Sequence, residues 1–256
     1  MSWPVKIVLA PLLVWQGRRV RGRALRLPEA SGSREGVAID AFASATGVAH
    51  GRPRLRLLVV GDSSAAGVGV ATQGQALAQP LARALAGRLG APVAWQLLAA
   101  TGHRAADALA ALRAAPTLAP ADVMVAVLGV NDAVALAGVR PWLAVLDALH
   151  ACAAERAGVC LTWHSGLPPM GRFPLLPQPL RWVLGQEAAR LDRALAHHVA
   201  GRADRRLAPL PPAPSGRAPI GWMAEDGYHP GPVGYRHWAE SLATLIAADP
   251  ALPARA

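Results

Sequence analysis

Four short apolar runs, each ended by small or polar residues and each separated from the next by a helical pattern, constrain this chain more than any other feature. Residues 55–60 stop at Gly61-Asp62-Ser63, 93–100 at Thr101-Gly102, 122–128 at Gly129-Val130-Asn131-Asp132, and 159–163 just before His164. Continuous apolar runs of this length suit strands buried on both faces, as in a parallel sheet. Between them, Leu77, Leu81, Leu85 and Leu89 recur at every fourth position and close at Gly90, one face of a helix. Pro80 predicts a late start or a kink there. Residues 105–114 and 141–156 carry further helical patterns, and helices over 180–200 and 232–247 with a weak strand at 206–210 complete the series. The alternation predicts an α/β fold with helices on both faces of a parallel sheet.

Composition narrows the class. With 256 residues, 53% of them hydrophobic and 16% charged, the chain can bury one sizeable core and is not a disordered segment. Residues 27–53 lose periodicity, so the expected division is an apolar and basic segment with a loop-rich connection over 1–54, then a domain over 55–256. The net charge of +10 comes almost entirely from arginine, Lys6 being the one lysine. No aromatic-interleaved basic repeat or zinc-finger spacing accompanies it, so no nucleic acid partner is expected. Cys152 and Cys160 are eight apart, which suits neither a metal site nor a disulfide framework, and free, mostly buried thiols are predicted. His197 and His198 are helix neighbours that point in different directions, so no metal site is expected.

The N-terminal stretch 7–15 is apolar but too short to span a bilayer as a helix. Gln16-Gly17-Arg18-Arg19 follows where a cleavage site would need small residues, and Ala43-Ser44-Ala45 lies far downstream, so no cleavage is predicted. Backed by Arg18, Arg19, Arg21, Arg23 and Arg26, residues 1–26 suit peripheral contact with an anionic membrane; the alternative is packing against the domain. The expected location is cytoplasmic or peripheral at the inner membrane, with export open.

Chemistry concentrates where the runs end. A serine hydroxyl is a weak nucleophile unless a base takes its proton and a third group orients that base. Ser63 ends the first run, and Asp226 and His229 lie three apart just before the last helix. Singly, Gly-Asp-Ser is an ordinary turn and Asp-x-x-His a common surface pair. Acyl transfer also needs donors for an oxyanion, and the N–H groups of Ser63 and Gly102 with the Asn131 amide offer them. Otherwise Gly102 is a turn glycine and Asn131-Asp132 a helix cap. There is no Gly-x-Ser-x-Gly elbow, no phosphate-binding Gly-Lys-Ser/Thr and no complete dinucleotide fingerprint. His103 and His164 follow strands and border the expected pocket, or are structural.

In their order, Gly61-Asp62-Ser63, Gly102, Gly129-Val130-Asn131-Asp132 and Asp226-Gly227-Tyr228-His229-Pro230 resemble the blocks of the SGNH hydrolases, the GDSL esterase/lipase family. The resemblance covers about residues 55–247. It implies a flavodoxin-like three-layer α/β/α sandwich with a parallel sheet of about five strands, Ser63 as nucleophile, His229 as base and Asp226 as its orienter. It also implies Ser63, Gly102 and Asn131 as oxyanion donors, and ester hydrolysis without cofactor. The proline-rich loop between Ser165 and Trp182 is the expected substrate wall, its Leu167, Met170, Phe173 and Leu175 suiting a lipidic or aryl ester. Carbohydrate O-acetyl removal, acyl transfer to another acceptor, and a membrane-associated binding protein of the same fold are the alternatives, since fold alone does not choose among them.

Overall fold

A computed structural model describes residues 3–23, 25–39, 52–173, 175–212, 214–215 and 218–253, so Ala43-Ser44-Ala45 lies outside the described residues. Six strands, β1 (Glu35–Ala38), β2 (Leu55–Gly61), β3 (Val93–Ala99), β4 (Val123–Val127), β5 (Leu161–Ser165) and β6 (Arg205–Ala208), form one sheet in the order β1-β3-β2-β4-β5-β6. The five strands from β2 to β6 pair in parallel, and β1 adds to β3 as an antiparallel edge. The described helices are α1 (Trp3–Arg23), α2 (Ser63–Ala66), α3 (Ala78–Leu89), α4 (Ala105–Ala114), α5 (Val130–Val134), α6 (Val139–Ala157), α7 (Leu180–Val199) and α8 (Pro232–Ala247).

Successive side chains of a strand face opposite ways, and the central strands bury both sets. Leu57, Val59 and Val125 pack on one face against Leu81 and Leu85 of α3 and Tyr235, Leu242 and Ile246 of α8. Leu58, Val60 and Met124 pack on the other against Leu109 and Leu112 of α4, Leu149 of α6 and Leu191 of α7. The result is the expected three-layer sandwich. Fully burying one such leucine contributes roughly 1.5–3 kcal/mol, so these two layers carry most of the fold's stability.

Three local expectations change. The connection predicted over 27–53 supplies β1, whose residues are largely exposed and whose pairing comes from β3. Pro80 causes no late start, because α3 begins at Ala78 and a proline in the first turn lacks only an N–H that has no helical acceptor there. The strand expected at 159–163 runs two residues later, since the N–H groups of Cys160 and Leu161 turn onto the Asp122 carbonyl and Val159 is tied to α6. Of the two cysteines, Cys152 is buried and Cys160 is exposed.

Candidate active site

The register sets the level of the site. Gly61 stands opposite Ala99 on one side and Val127 on the other, so β3, β2 and β4 end together. In an open parallel sheet, the crevice beyond these carboxyl ends is where ligands bind. Ser63, Gly102 and Asn131 each follow one of these three adjacent ends.

At the end of β2 the chain turns sharply into α2. A side chain at Gly61 would put a Cβ 2.5 Å from the Ala65 Cβ and 2.8 Å from the Val127 carbonyl oxygen, so only glycine allows the turn. Asp62 is extended, and its carboxylate accepts the Ser64 N–H at 2.9 Å, capping α2. Burial pushes the Asp62 carboxyl up to about 7, against the pull of the Ser64 hydrogen bond and with help from the nearby Asp132 charge. Ser63 is the first residue of α2, half-buried, with its hydroxyl presented to the crevice side.

Opposite it, residues 221–231 form a loop closed on itself before α8. The Ala224 N–H donates to the His229 carbonyl at 2.9 Å and the Gly231 N–H to the Trp222 carbonyl at 2.9 Å. Within this frame Asp226 Oδ1 accepts the N–H groups of Tyr228 and His229 at 2.9 and 3.0 Å, while Oδ2 lies 2.6 Å from His229 Nδ1. His229 Nε2 faces Ser63 Oγ at 2.8 Å. Burial acts to raise the Asp226 pKa, but the hydrogen bonds from the His229 ring and from the two backbone N–H groups outweigh it and hold the carboxyl below its ordinary value. An ionised carboxylate on Nδ1 leaves Nε2 to accept the serine proton.

The oxyanion candidates are placed as follows. Gly102 sits in an exposed turn at φ +86°, and among the described residues neither its N–H nor that of Ser63 has an acceptor. Asn131 Nδ2 donates to the His103 carbonyl at 2.9 Å, which holds the amide in place and leaves its second hydrogen available. Asp132 caps α4 from outside that helix, accepting the Ala105 N–H at 3.1 Å.

The loop expected to form the substrate wall is divided by the structure. Met170 is fully buried in the core, so the expectation of Met170 as a pocket wall is corrected, while Leu167 packs over Gly129 and also lines the groove beside α7. Phe173 does approach the site. Its ring meets Tyr228 edge-on at 5.1 Å, and Tyr228 meets His229 the same way at 5.1 Å. Leu175 is half-buried nearby in sequence, and a groove of about 390 Å³ lies between this loop and α7, lined by Pro168, Arg172 and Trp182 among others. His164 is buried within β5, where desolvation, reinforced by the Arg205 charge, lowers its pKa to about 3; it does not border the site. Among the described residues no His, Cys, Asp and Glu side chains are grouped to hold a metal ion.

Two contributors escaped the sequence reading. Gly69, at φ +104°, lets the loop after α2 run against the histidine loop; a Cβ there would lie 2.5 Å from the Pro230 carbonyl oxygen and 3.3 Å from the His229 Cβ. Tyr235 Oη donates to the Val68 carbonyl at 2.8 Å and pins the same contact from α8. The signal for Gly69 lies in the run of small residues that follows Ser63 and ends at Gly67-Val68-Gly69.

Comparison with known proteins follows the same lines. The profile of the GDSL-like lipase/acylhydrolase family matches residues 59–237. A GDSL-like esterase of Mycobacterium tuberculosis is 30% identical over 192 residues, covering 73% of this chain and 60% of the relative, so the chain spans about three-fifths of that protein's length. Among solved structures, the lipase Lip_vut3 from a goat rumen metagenome superposes with a TM-score of 0.58 at 17% identity, over 76% of this chain and 97% of that one. TesA superposes with a TM-score of 0.55 at 23% identity, over 77% and 99%. Both likenesses are of fold.

Proposed function

The chain belongs to the GDSL-like lipase/acylhydrolase family, and from that premise we propose that it is a serine esterase working through an acyl-enzyme. The observation that carries this reading is the continuous chain of hydrogen-bonding groups from Asp226 Oδ2 through His229, 2.6 Å on one side, to Ser63 Oγ, 2.8 Å on the other. His229 Nε2 takes the hydroxyl proton as Ser63 Oγ bonds to the ester carbonyl carbon. The carbonyl oxygen becomes an oxyanion against the N–H groups of Ser63 and Gly102 and the Asn131 amide. The C–O bond to the alcohol then breaks, and the alcohol leaves with the proton from His229. Water, deprotonated by the same nitrogen, releases the acid and restores Ser63.

Phe173 and Tyr228, stacked edge to face beside His229, give the site an apolar flank and favour lipidic or aryl esters. A nitrophenyl ester series from acetyl to long acyl chains tests both points. Turnover with an optimum at medium or long chains is expected. A folded protein that turns over none of the series overturns the reading, and acetylated sugars assayed in parallel report a carbohydrate preference.

The contact of residues 1–26 with an anionic membrane belongs to the same proposal. One side of α1 is held to the domain: Leu13 and Val20 pack on the core, and buried Gln16 donates to the Gln178 carbonyl and accepts the Leu180 N–H. The other side exposes Leu12, Val14 and Trp15, with Arg19 over the Trp15 ring at 5.2 Å. Among the described residues no helix is long and apolar enough to cross a membrane, which suits a helix lying on its surface. In co-sedimentation with anionic vesicles the protein is expected to pellet at low salt, and a Val14→Ser/Trp15→Ser variant to stay in solution. Wild-type protein in the supernatant at low salt ends the membrane reading.

A further inference from the structure

We propose that Glu29, acting through Thr101, is a positioning residue of the oxyanion hole, so that a segment lying before the family match is part of the catalytic apparatus. The inference rests on the serine esterase reading above.

Glu29 Oε1 accepts two hydrogen bonds from one residue, the Thr101 N–H at 2.7 Å and the Thr101 hydroxyl at 2.8 Å. Its second oxygen meets Arg34 at 2.5 Å. Arg34 in turn donates to the Ala99 carbonyl at 2.6 Å, and its own carbonyl accepts the Leu97 N–H at 2.7 Å. The last residues of β3 and the turn after it are therefore gripped from one side by a single short stretch, residues 29–34. The N–H of Gly102 belongs to the peptide that begins at the Thr101 carbonyl, so fixing Thr101 by both backbone and side chain fixes the direction of that donor.

Gly102 is exposed, and a Cβ built on it would have no atom within 4 Å. Besides the anchored Thr101, the His103 N–H donates to the Ala100 carbonyl at 3.2 Å and the His103 carbonyl accepts the Asn131 amide at 2.9 Å, which holds the far end of the turn and leaves the Thr101–Gly102 peptide to Glu29. A donor preorganised in this way is useful only if its direction is maintained without the substrate.

The same segment also touches the far end of α2, the helix that carries the other backbone donor at its start. The Ala30 N–H donates to the Ala66 carbonyl at 3.2 Å, and the buried Gln73 amide bridges the Ala30 and Ala66 carbonyls at 3.1 Å each. Residues 29 and 30 thus tie the Gly102 turn to the end of the helix that starts with Ser63. Burial acts to raise the Glu29 pKa, but the hydrogen bonds from Thr101 and Arg34 prevail and keep the carboxylate ionised. The Glu29 and Arg34 side chains are 29% and 41% exposed, and an exposed pair of this kind adds little to global stability. Its effect is expected in the geometry of the turn.

Kinetics on nitrophenyl acetate with Glu29→Ala, Glu29→Gln and Thr101→Val tests this. Removing an oxyanion donor outright typically costs about 10²–10³ in rate, so misdirecting one in Glu29→Ala should lower kcat by about 10–10²-fold. KM should stay within about twofold, because the donor acts on the transition state. Inhibition by a trifluoromethyl ketone, which becomes a tetrahedral oxyanion on Ser63, should weaken by the same factor. Glu29→Gln keeps a carbonyl oxygen for Thr101 and should recover most of the loss. Thr101→Val, which keeps the backbone N–H, should fall only a few-fold and remains informative where Glu29→Ala does not fold. Wild-type kcat in Glu29→Ala, or a loss of rate without loss of ketone affinity, overturns the proposal. If the wild type is active and Ser63→Ala is not, that failure belongs to Glu29 alone; a wild type inactive on every ester removes the esterase reading and this inference together.

Discussion

Replacing Ser63 by alanine should reduce kcat by about 10⁴-fold or more while leaving the protein folded. The Ser63 hydroxyl makes its hydrogen bond to His229 and is not part of either core layer, so its removal takes away the attacking atom and little packing. The turn that presents it depends on Gly61 and on the Asp62 cap, both unchanged. Thermal melts of Ser63→Ala should overlay those of the wild type within about two degrees. The roles act as a unit, so His229→Ala should cost nearly as much, and adding it to Ser63→Ala should cost little more. A burst of nitrophenol equal to the enzyme concentration reports the acyl-enzyme directly. Substantial turnover by Ser63→Ala would move the nucleophile elsewhere, Ser64 being the adjacent hydroxyl.

Outside the three residues of the proposed triad, Gly69→Ala is expected to have the largest effect, through His229 rather than through the nucleophile. The new methyl meets the Pro230 carbonyl oxygen at 2.5 Å and the Ala224 Cβ at 2.9 Å, and backbone on both sides must move apart. A left-handed conformation adds roughly 1–2 kcal/mol of strain for a residue with a Cβ. The histidine loop is closed by its own hydrogen bonds, so a displacement at Pro230 should carry Nε2 away from Ser63 Oγ. Misplacement by about 1 Å can cost about 10²-fold in rate, and a fall of that order in kcat is expected. Gly90→Ala separates displacement from strain. Gly90 has φ +60° with nothing within 4 Å of a built Cβ, and it closes α3 away from the site. That variant should lose stability only and keep its kcat. Equal losses of kcat in the two would show that strain alone, not contact with the histidine loop, sets the effect.

The parts of the molecule that were legible in the sequence share a physical cause. Parallel strands covered on both faces must be largely apolar, so β2 and β4 appear as near-continuous runs, while β3, whose burial alternates along the strand, is interrupted by Gln96; the residues that end each run mark the level of the crevice. Helices α4 and α8 begin and end where their patterns do, because each buries one stripe against the sheet. Ser63, Asp226 and His229, the proposed triad, were singled out in the sequence for another reason. Their chemistry needs small residues at a sharp turn and a carboxylate and imidazole on one loop, and both leave local traces.

The remainder depends on partners far away in the chain. Nothing in Glu35-Gly36-Val37-Ala38 announces an edge strand, since its ladder comes from β3, some sixty residues later. Met170 reads as a wall residue in a proline-rich loop, yet the packing of that loop on α7 turns it into the core. Glu29 sits among proline, glycine and charged residues and becomes informative only once Thr101 is seen above it. By itself the sequence determined the α/β alternation and the ends of the central strands, because burial and turn chemistry act over a few residues, and it nominated the Ser63, His229 and Asp226 of the proposed triad through their likeness to the family blocks. Only the tertiary structure decided which side chains line the crevice and what holds the Gly102 turn, because those are set by hydrogen bonds and close approaches between segments that have no local relation.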